Sequence, residues 1–172
     1  MVRYMGLSMV IFGCAAMGMS AGNELGRRIR DLRELLKLLE LLEGEISYAH
    51  AVLTESFRHA ARRMRAPYAE FLENMAEHMD ERSGDTLKDI FARHVRNDLR
   101  NTALRSEDRE ELVSFGEQLG NLDVKMQLAA IALYRKQLSQ ACVQAQEEWR
   151  KDSKLYRCLG FMGGLFLAVL FL

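Results

Sequence analysis

The chain has 172 residues, which is enough for one ordinary domain with appendages but not for two full-sized domains. Its 24 Lys and Arg residues balance its 24 Asp and Glu residues, so it lacks the basic excess of a nucleic-acid-binding protein, and we expect no nucleic acid as a partner. One proline and twelve glycines are too few for a sandwich or barrel, which needs a turn about every 8 to 12 residues. The composition therefore predicts an all-α protein.

A stretch of nineteen uncharged residues, Tyr4 to Gly22, comes first along the chain. This length is close to the roughly 20 residues that a helix needs to cross a bilayer. We predict a membrane anchor over residues 1–22, because the strong basic flank follows the segment rather than preceding it. A cleaved signal peptide is the alternative, since Arg3 precedes the segment and the small residues Ser20 and Ala21 suit a cleavage site.

The middle of the chain, residues 23–158, carries apolar residues at helical spacing and predicts an antiparallel bundle of about five to six helices. Thr54 is the predicted N-cap of the second helix, and Pro67 ends that helix and opens the third. The first helix presents one apolar stripe: Ile29, Leu32, Leu36, Leu39, Leu42 (or Leu35) and Ile46.

Capping residues also predict the later helices of the bundle. Asp85 caps the fourth and Ser106 the fifth, which Gly120 closes as a left-handed C-cap. From Val124 onwards no proline or glycine occurs before Gly160, which predicts one helix of roughly 35 residues that runs into the apolar tail. Three larger side chains are expected in the bundle core: Phe115, Leu119 and Trp149.

The last fourteen residues, Leu159 to Leu172, are uncharged and strongly apolar. As a helix they measure about 21 Å, which is less than the roughly 30 Å of a bilayer's hydrocarbon core. We predict a C-terminal membrane segment over residues 159–172, which spans with the help of bilayer thinning or of snorkelling by Lys154 and Arg157.

Basic residues flank both apolar segments on their inner sides, whereas the outer flanks hold only Arg3. The positive-inside rule then places the bundle in the cytoplasm and both termini on the far side of the membrane. Glycines four residues apart occur in both segments and let membrane helices approach closely, although glycine is also simply common in such helices. These candidates for membrane-helix packing are Gly18, Gly22, Gly160 and Gly164.

The sequence assembles neither a catalytic nor a metal site. The four histidines lack the spacing of zinc or di-iron sites, and no phosphate-binding loop occurs. The G-x-S-x-G of residues 18–22 ends an apolar helix, whereas a nucleophile elbow follows a strand. His59 with Glu55, and His94 with Asp98, are spaced for surface pairs one helical turn apart. We expect no enzyme activity, metal, cofactor or small-molecule substrate.

Charge is uneven along the chain although it sums to zero. Residues 70–85 hold six acids against one arginine, Arg82. A solvated helix face is one interpretation, and a docking surface for a charged partner is the other. A basic cluster comes just before the acids and consists of Arg58, Arg62, Arg63 and Arg65.

Several runs, in this order and at these distances, resemble the stage III sporulation protein AB family of endospore-forming bacteria. The runs are residues 27–32 (RRIRDL), 41–48 (LLEGEISY) with 53–55 (LTE), 115–120 (FGEQLG) and 159–164 (LGFMGG). The family often has a proline where this chain has Val52, so the break between the first two helices is less firmly marked here. The resemblance implies structural roles for Glu45, Tyr48, Leu53, Phe115, Gly116, Leu119, Gly120, Gly160 and Phe161.

The resemblance implies a non-enzymatic membrane component of the sporulation channel complex that joins mother cell and forespore. The helical domain of the family is similar to that of the type II secretion platform protein F. The implied partners are the membrane, the ATPase stage III sporulation protein AA and other channel components, with the bundle facing the cytoplasm from the mother-cell (outer forespore) membrane. The alternative function, from the signal-peptide interpretation, is an extracytoplasmic helical binding protein released by cleavage.

Overall fold

The computed structural model of the chain describes the backbone of residues 24–49, 52–81, 84–121 and 123–171. Side chains are described for residues 24–47, 52–81, 84–120 and 123–151. All regular structure within these ranges is helical, as predicted. The elements are α1 (residues 24–44), a π-helical segment (Glu45–Ala49), α2 (Leu53–Ala61), α3 (Tyr68–Asp80), α4 (Leu87–Asp98), α5 (Ser106–Asn121) and α6 (Val124–Phe171).

Short polar side chains mark the starts of α4 and α6. The hydroxyl oxygen of Thr86 accepts the backbone N–H of Asp89 at 3.3 Å, and a carboxylate oxygen of Asp123 accepts the N–H of Met126 at 2.8 Å. Such bonds satisfy N–H groups in the first turn that have no partner within the helix. Pro67 directly precedes α3, where its missing N–H costs nothing.

Five predicted helix ends are wrong. Helix α2 ends at Ala61 rather than at Pro67, and Ser106 is the first residue of α5 rather than its N-cap. Val52, not Thr54, is the N-cap of α2, and its φ of −62° and ψ of 146° are extended values that a proline would also adopt, so the break persists without that proline. Thr86 replaces Asp85 as the cap of α4, because its hydroxyl is the group that reaches the first turn. Gly120 lies inside α5 rather than ending it.

The described helices share one hydrophobic core, and consecutive helices from α2 to α6 pack on each other. Phe115 and Leu119 are buried as predicted, but Trp149 is 43% exposed, so its predicted core position is wrong. Trp149 comes four residues after the buried Ala145, on the side of α6 that faces the core. It also comes directly after Glu148, which approaches Arg28 at an end of the bundle where the side chains are polar.

A row of aromatic rings crosses the core. The ring of Phe91 on α4 lies 6.5 Å from Phe57, 5.7 Å from Phe71 and 6.5 Å from Phe115, measured between centroids. Phe115 in turn stacks on Tyr134 of α6 at 4.7 Å and 17°. Edge-to-face and offset-stacked pairs are the favourable geometries for aromatic rings. The row therefore joins α2, α3, α4, α5 and α6 through one continuous contact.

Helices α1 and α6 run antiparallel. Glu43 near the end of α1 pairs with Arg135 in the first half of α6, whereas Arg28 near the start of α1 approaches Glu148 at 3.9 Å. The start of α1 and the part of α6 around Glu148 consequently lie at the same end of the bundle.

Candidate functional site

The FGEQLG run on α5 is a contact surface for α4. A Cβ atom added to Gly116 would lie 2.2 Å from the ring of Phe91, and one added to Gly120 would lie 3.0 Å from Leu87. The glycines thus allow the two helix backbones to approach closely. Between them Glu117 accepts a hydrogen bond from Lys88 Nζ at 2.6 Å.

Glu45 ties the π-helical segment to α2. Its Oε2 lies 2.8 Å from Nδ1 of His59, whereas Glu55, the partner predicted from helical spacing, lies 4.0 Å from His59 Nε2. Leu53 packs against the hydrophobic core at the start of α2. The side chain of Tyr48 lies outside the described residues. The second motif run therefore has two side chains, Glu45 and Leu53, at the junction between α1 and α2.

Arg28 and Asp108 form a buried clamp between α1 and α5, which we call the Arg28–Asp108 clamp. Two parallel hydrogen bonds of 2.8 Å join Arg28 Nε and Nη2 to the two oxygens of Asp108. Asp108 also accepts the backbone N–H of Arg105 at 2.8 Å, so this carboxylate, rather than the predicted Ser106, supplies the side-chain bond at the start of α5. Hydrogen bonding to Asp108 raises the pKa of Arg28 above its ordinary range, so the guanidinium stays charged.

Two further contacts extend the clamp. Glu148 on α6 accepts a hydrogen bond of 2.8 Å from Arg105, and Asp31 on α1 accepts the backbone N–H of Ala103 at 2.7 Å. The loop between α4 and α5 is thereby held between α1 and α6. The sequence marked Arg28 only as part of a basic flank, since its partner lies 80 residues away.

A chain of polar side chains joins α3 to α4. His78 Nδ1 lies 3.2 Å from His94 Nε2, and His94 Nδ1 lies 2.9 Å from Asp98 Oδ2. On the other side of the His78 ring, Nε2 lies 3.2 Å from Asp85 Oδ2 and 3.2 Å from Arg93 Nη1. The predicted pair of His94 and Asp98 is therefore present, and the approach of the two histidines is the part that spacing did not predict.

These contacts link the two helices at more than one point. His78 on α3 contacts both His94 and Arg93 on α4, and Asp98 contacts His94 from within α4. The chain therefore serves as a lock between α3 and α4. Within the described ranges no group of three or more His, Cys, Asp or Glu side chains is placed to hold a metal ion.

The uneven charges are only partly paired with each other. Arg58 from the basic cluster bonds to Asp80 and to Glu55, and Asp85 bonds to Arg93 at 3.0 Å. The other members of the basic cluster are exposed: Arg62, Arg63 and Arg65.

The predicted membrane segments lie outside the described side chains. Gly18 and Gly22 lie outside the described residues, whereas Gly160, Phe161 and Gly164 belong to the backbone of α6, which continues to Phe171. Among the described residues, no helix combines the length and the apolarity that a membrane crossing requires. The segments 1–22 and 159–172 stay predictions.

The fold and these clusters define a class of protein, namely a helical-bundle domain whose polar groups lock helices to one another. The chain belongs to the stage III sporulation protein AB family, whose model matches residues 3–172. Stage III sporulation protein AB of Bacillus subtilis (strain 168) is 26% identical over 170 residues, which cover 99% of each chain. A solved structure of a stage III sporulation protein AB has 26% identity and a TM-score of 0.65, covering 72% of this chain and 97% of that chain. The resemblance read from the four runs is confirmed.

Proposed function

We propose that the chain is a non-enzymatic membrane component of the channel complex that joins mother cell and forespore. Its helical bundle faces the mother-cell cytoplasm and couples a cytoplasmic ATPase, stage III sporulation protein AA, to the channel. The observation that carries the proposal is the family match over residues 3–172, because this range includes both apolar segments as well as the bundle.

The arrangement of α1 and α6 supports a membrane role. The contact between Arg28 and Glu148 brings the start of α1 close to the part of α6 that precedes the apolar tail. In sequence, the first apolar segment ends at Gly22, just before α1. Both apolar segments therefore adjoin the same end of the bundle, which suits a domain attached to one membrane face at two points.

Recovery of the ATPase with the tagged full chain, solubilised in mild detergent from sporulating cells, tests the proposed coupling. We expect co-purification with the wild type and with His59→Ala, whose side chain is 43% exposed. Phe115→Ala removes a buried ring and should abolish both co-purification and late forespore gene expression. Equal ATPase recovery from a strain without the tagged chain would contradict the coupling.

A second experiment tests the C-terminal glycines. Gly164→Leu should lower the recovery of channel components without changing the thermal unfolding of the bundle, because the added side chain separates packed membrane helices. Gly163→Leu is the matched control, since it adds the same side chain about 100° further round the helix. Equal recovery with both variants would rule out a packing role that is specific to Gly164.

A further inference from the structure

One face of α3 carries a row of carboxylates, which we call the acidic stripe. Its members are spaced three, four and four residues apart and therefore share one side of the helix. That side is opposite the buried Phe71 and Met75. No ion pair involves any of the four within the described residues. The acidic stripe consists of Glu70, Glu73, Glu77 and Glu81.

A matching basic surface lies on α1 and on the loop between α2 and α3. Arg30, Arg33 and Lys37 are spaced three and four residues apart on α1 and share one side of it. Lys37 Nζ donates a hydrogen bond of 2.6 Å to the backbone carbonyl of Arg63, which brings the loop beside this row. The basic surface adds the loop residues Arg62, Arg63 and Arg65, and within the described part of the chain no ion pair involves any of its six cations.

The acidic stripe is unfavourable by itself, because like charges one helical turn apart repel each other. On the basic surface Glu34 and Glu40 lie within one turn of Lys37, so they offset part of its charge, and the six cations leave a net positive charge. The row on α1 is about 10 Å long and the acidic stripe about 16 Å, so the row can lie along the stripe within its length. An anionic lipid surface would neutralise only the basic side, and a basic protein only the acidic side. In a row of copies of the same chain both surfaces are neutralised, the basic surface by one neighbour and the acidic stripe by the other.

We propose that the chain associates with a second copy of itself, the basic surface of one copy binding the acidic stripe of the next. The two surfaces are different patches of one molecule, so the contact is head-to-tail and can continue into a ring or an open row of copies. The proposal is independent of the ATPase partner, because it concerns only contacts between copies.

Sedimentation velocity of the full chain in detergent micelles tests this association. The wild type should associate at low salt and dissociate at high salt, where exposed charges are screened. Two charge-reversed variants test the two surfaces. One is Glu70→Lys/Glu73→Lys/Glu77→Lys, and the other is Arg33→Glu/Arg62→Glu/Arg63→Glu. Each alone should weaken self-association by at least roughly ten-fold in Kd, because like charges then face each other.

An equimolar mixture of the two variants should associate again, because one presents two basic surfaces and the other two acidic ones. This recovery also shows that both variants are folded. The matched control reverses three exposed cations of α6 that lie outside the basic surface, Lys125→Glu/Lys136→Glu/Arg150→Glu, and should leave association unchanged. A wild type that stays monomeric at low salt, or a mixture that fails to associate, would overturn the proposal. The proposal would also be overturned if the basic-surface variant lost binding to anionic vesicles but self-associated like the wild type.

Discussion

Arg28 and Asp108 are charged residues of which only 8% and 5% of the surface is exposed. Burying two charges costs free energy, and the two parallel hydrogen bonds together with the bond from the Arg105 backbone offset that cost. The residues are 80 positions apart in sequence, so the clamp forms only when α1 has docked on α5. We expect the clamp to select this arrangement of helices more than to add net stability.

Replacing one partner of the clamp should be strongly destabilising. Asp108→Ala leaves the Arg28 guanidinium buried without its two hydrogen-bonded oxygens and with only Glu148, at 3.9 Å, close by, and it should lower the free energy of unfolding by about 3–5 kcal/mol. Urea unfolding of the full chain in mild detergent, followed by circular dichroism, measures the change. Lys88→Ala is the control, because it breaks a pair whose side chains are both exposed and should change little. Similar losses for the two variants would contradict a special role for the buried pair.

Tyr68 and Tyr134 are buried. The hydroxyl group of Tyr134 has no hydrogen-bond partner within the described residues, whereas that of Tyr68 lies near the carboxylate of Asp31. Burial is the main cause that raises the pKa of both hydroxyls above the ordinary value. The folded chain therefore holds these two protons more tightly than the unfolded chain, in which tyrosine titrates near pH 10. The resulting stabilisation is complete below about pH 10 and is lost as the pH rises further.

The predicted loss of stability above about pH 10 can be tested with phenylalanine substitutions. The free energy of unfolding of the wild type should decline above about pH 10, and the double variant Tyr68→Phe/Tyr134→Phe should decline less steeply. At neutral pH the variant should be about as stable as the wild type, because it removes the partnerless hydroxyl of Tyr134 together with the Tyr68 hydroxyl near Asp31. Urea unfolding at a series of pH values measures both effects, and parallel declines would show that other groups dominate.

At the scale of helices, the contact between α4 and α5 depends on the absence of side chains. Gly116 faces the ring of Phe91, which also touches Phe57, Phe71 and Phe115. A shift of this ring would disturb the packing of four helices together. The FGEQLG run is therefore best understood as a packing motif, with Gly116 as its most constrained position.

Gly116→Ala should destabilise the bundle although alanine favours helix. The added Cβ would meet three atoms of the Phe91 ring at 2.2 to 2.6 Å, and such overpacking costs about 1–3 kcal/mol. Gly44→Ala is the matched control, because a Cβ there meets nothing within 4 Å and helix propensity should add about 0.5–1 kcal/mol. Thermal and urea unfolding of the two variants should therefore shift in opposite directions. A gain in stability with Gly116→Ala would contradict the close packing.

Helical periodicity predicts the bundle well, because every helix must bury an apolar stripe on a shared core. Leu32, Leu39 and Leu42 of the predicted first stripe are all fully buried. Helix ends are predicted less well, since adjacent candidates compete and the local sequence does not decide between them. Asp85 and Thr86 are both good caps, and the structure uses Asp85 for Arg93 and His78 instead.

The polar clusters are the features that are hardest to predict from the sequence. His78 and His94 are sixteen residues apart and meet only because α3 packs on α4, so no spacing rule identifies them. Gly120 illustrates the same limit, since a glycine near a helix end is typical of a C-cap, whereas here it accommodates Leu87 from another helix. Such roles depend on tertiary packing rather than on the local sequence.

At the scale of the whole molecule, the pairs Glu43 with Arg135 and Arg28 with Glu148 give the bundle two distinct ends. The Arg28–Asp108 clamp closes the end that adjoins the apolar segments. Lys125, at the start of α6, lies towards the opposite end and is exposed. In the proposed topology the clamp lies nearest the membrane, and the surface around Lys125 projects furthest into the cytoplasm.

Cysteine labelling distinguishes this topology from the released extracytoplasmic domain. In a chain whose own cysteines are replaced by alanine, and which is made in vegetative cells so that it lies in the surface membrane, Lys125→Cys should react with a membrane-impermeant maleimide in inverted vesicles and not in intact cells. Leu172→Cys should react in intact cells, because both termini are predicted on the far side of the membrane. Labelling of Lys125→Cys in intact cells, together with a shortened N-terminus, would instead support signal cleavage and exclude contact with a cytoplasmic ATPase. The exposed position of Lys125 matters here, since failure to react then reports the membrane barrier rather than burial in the bundle.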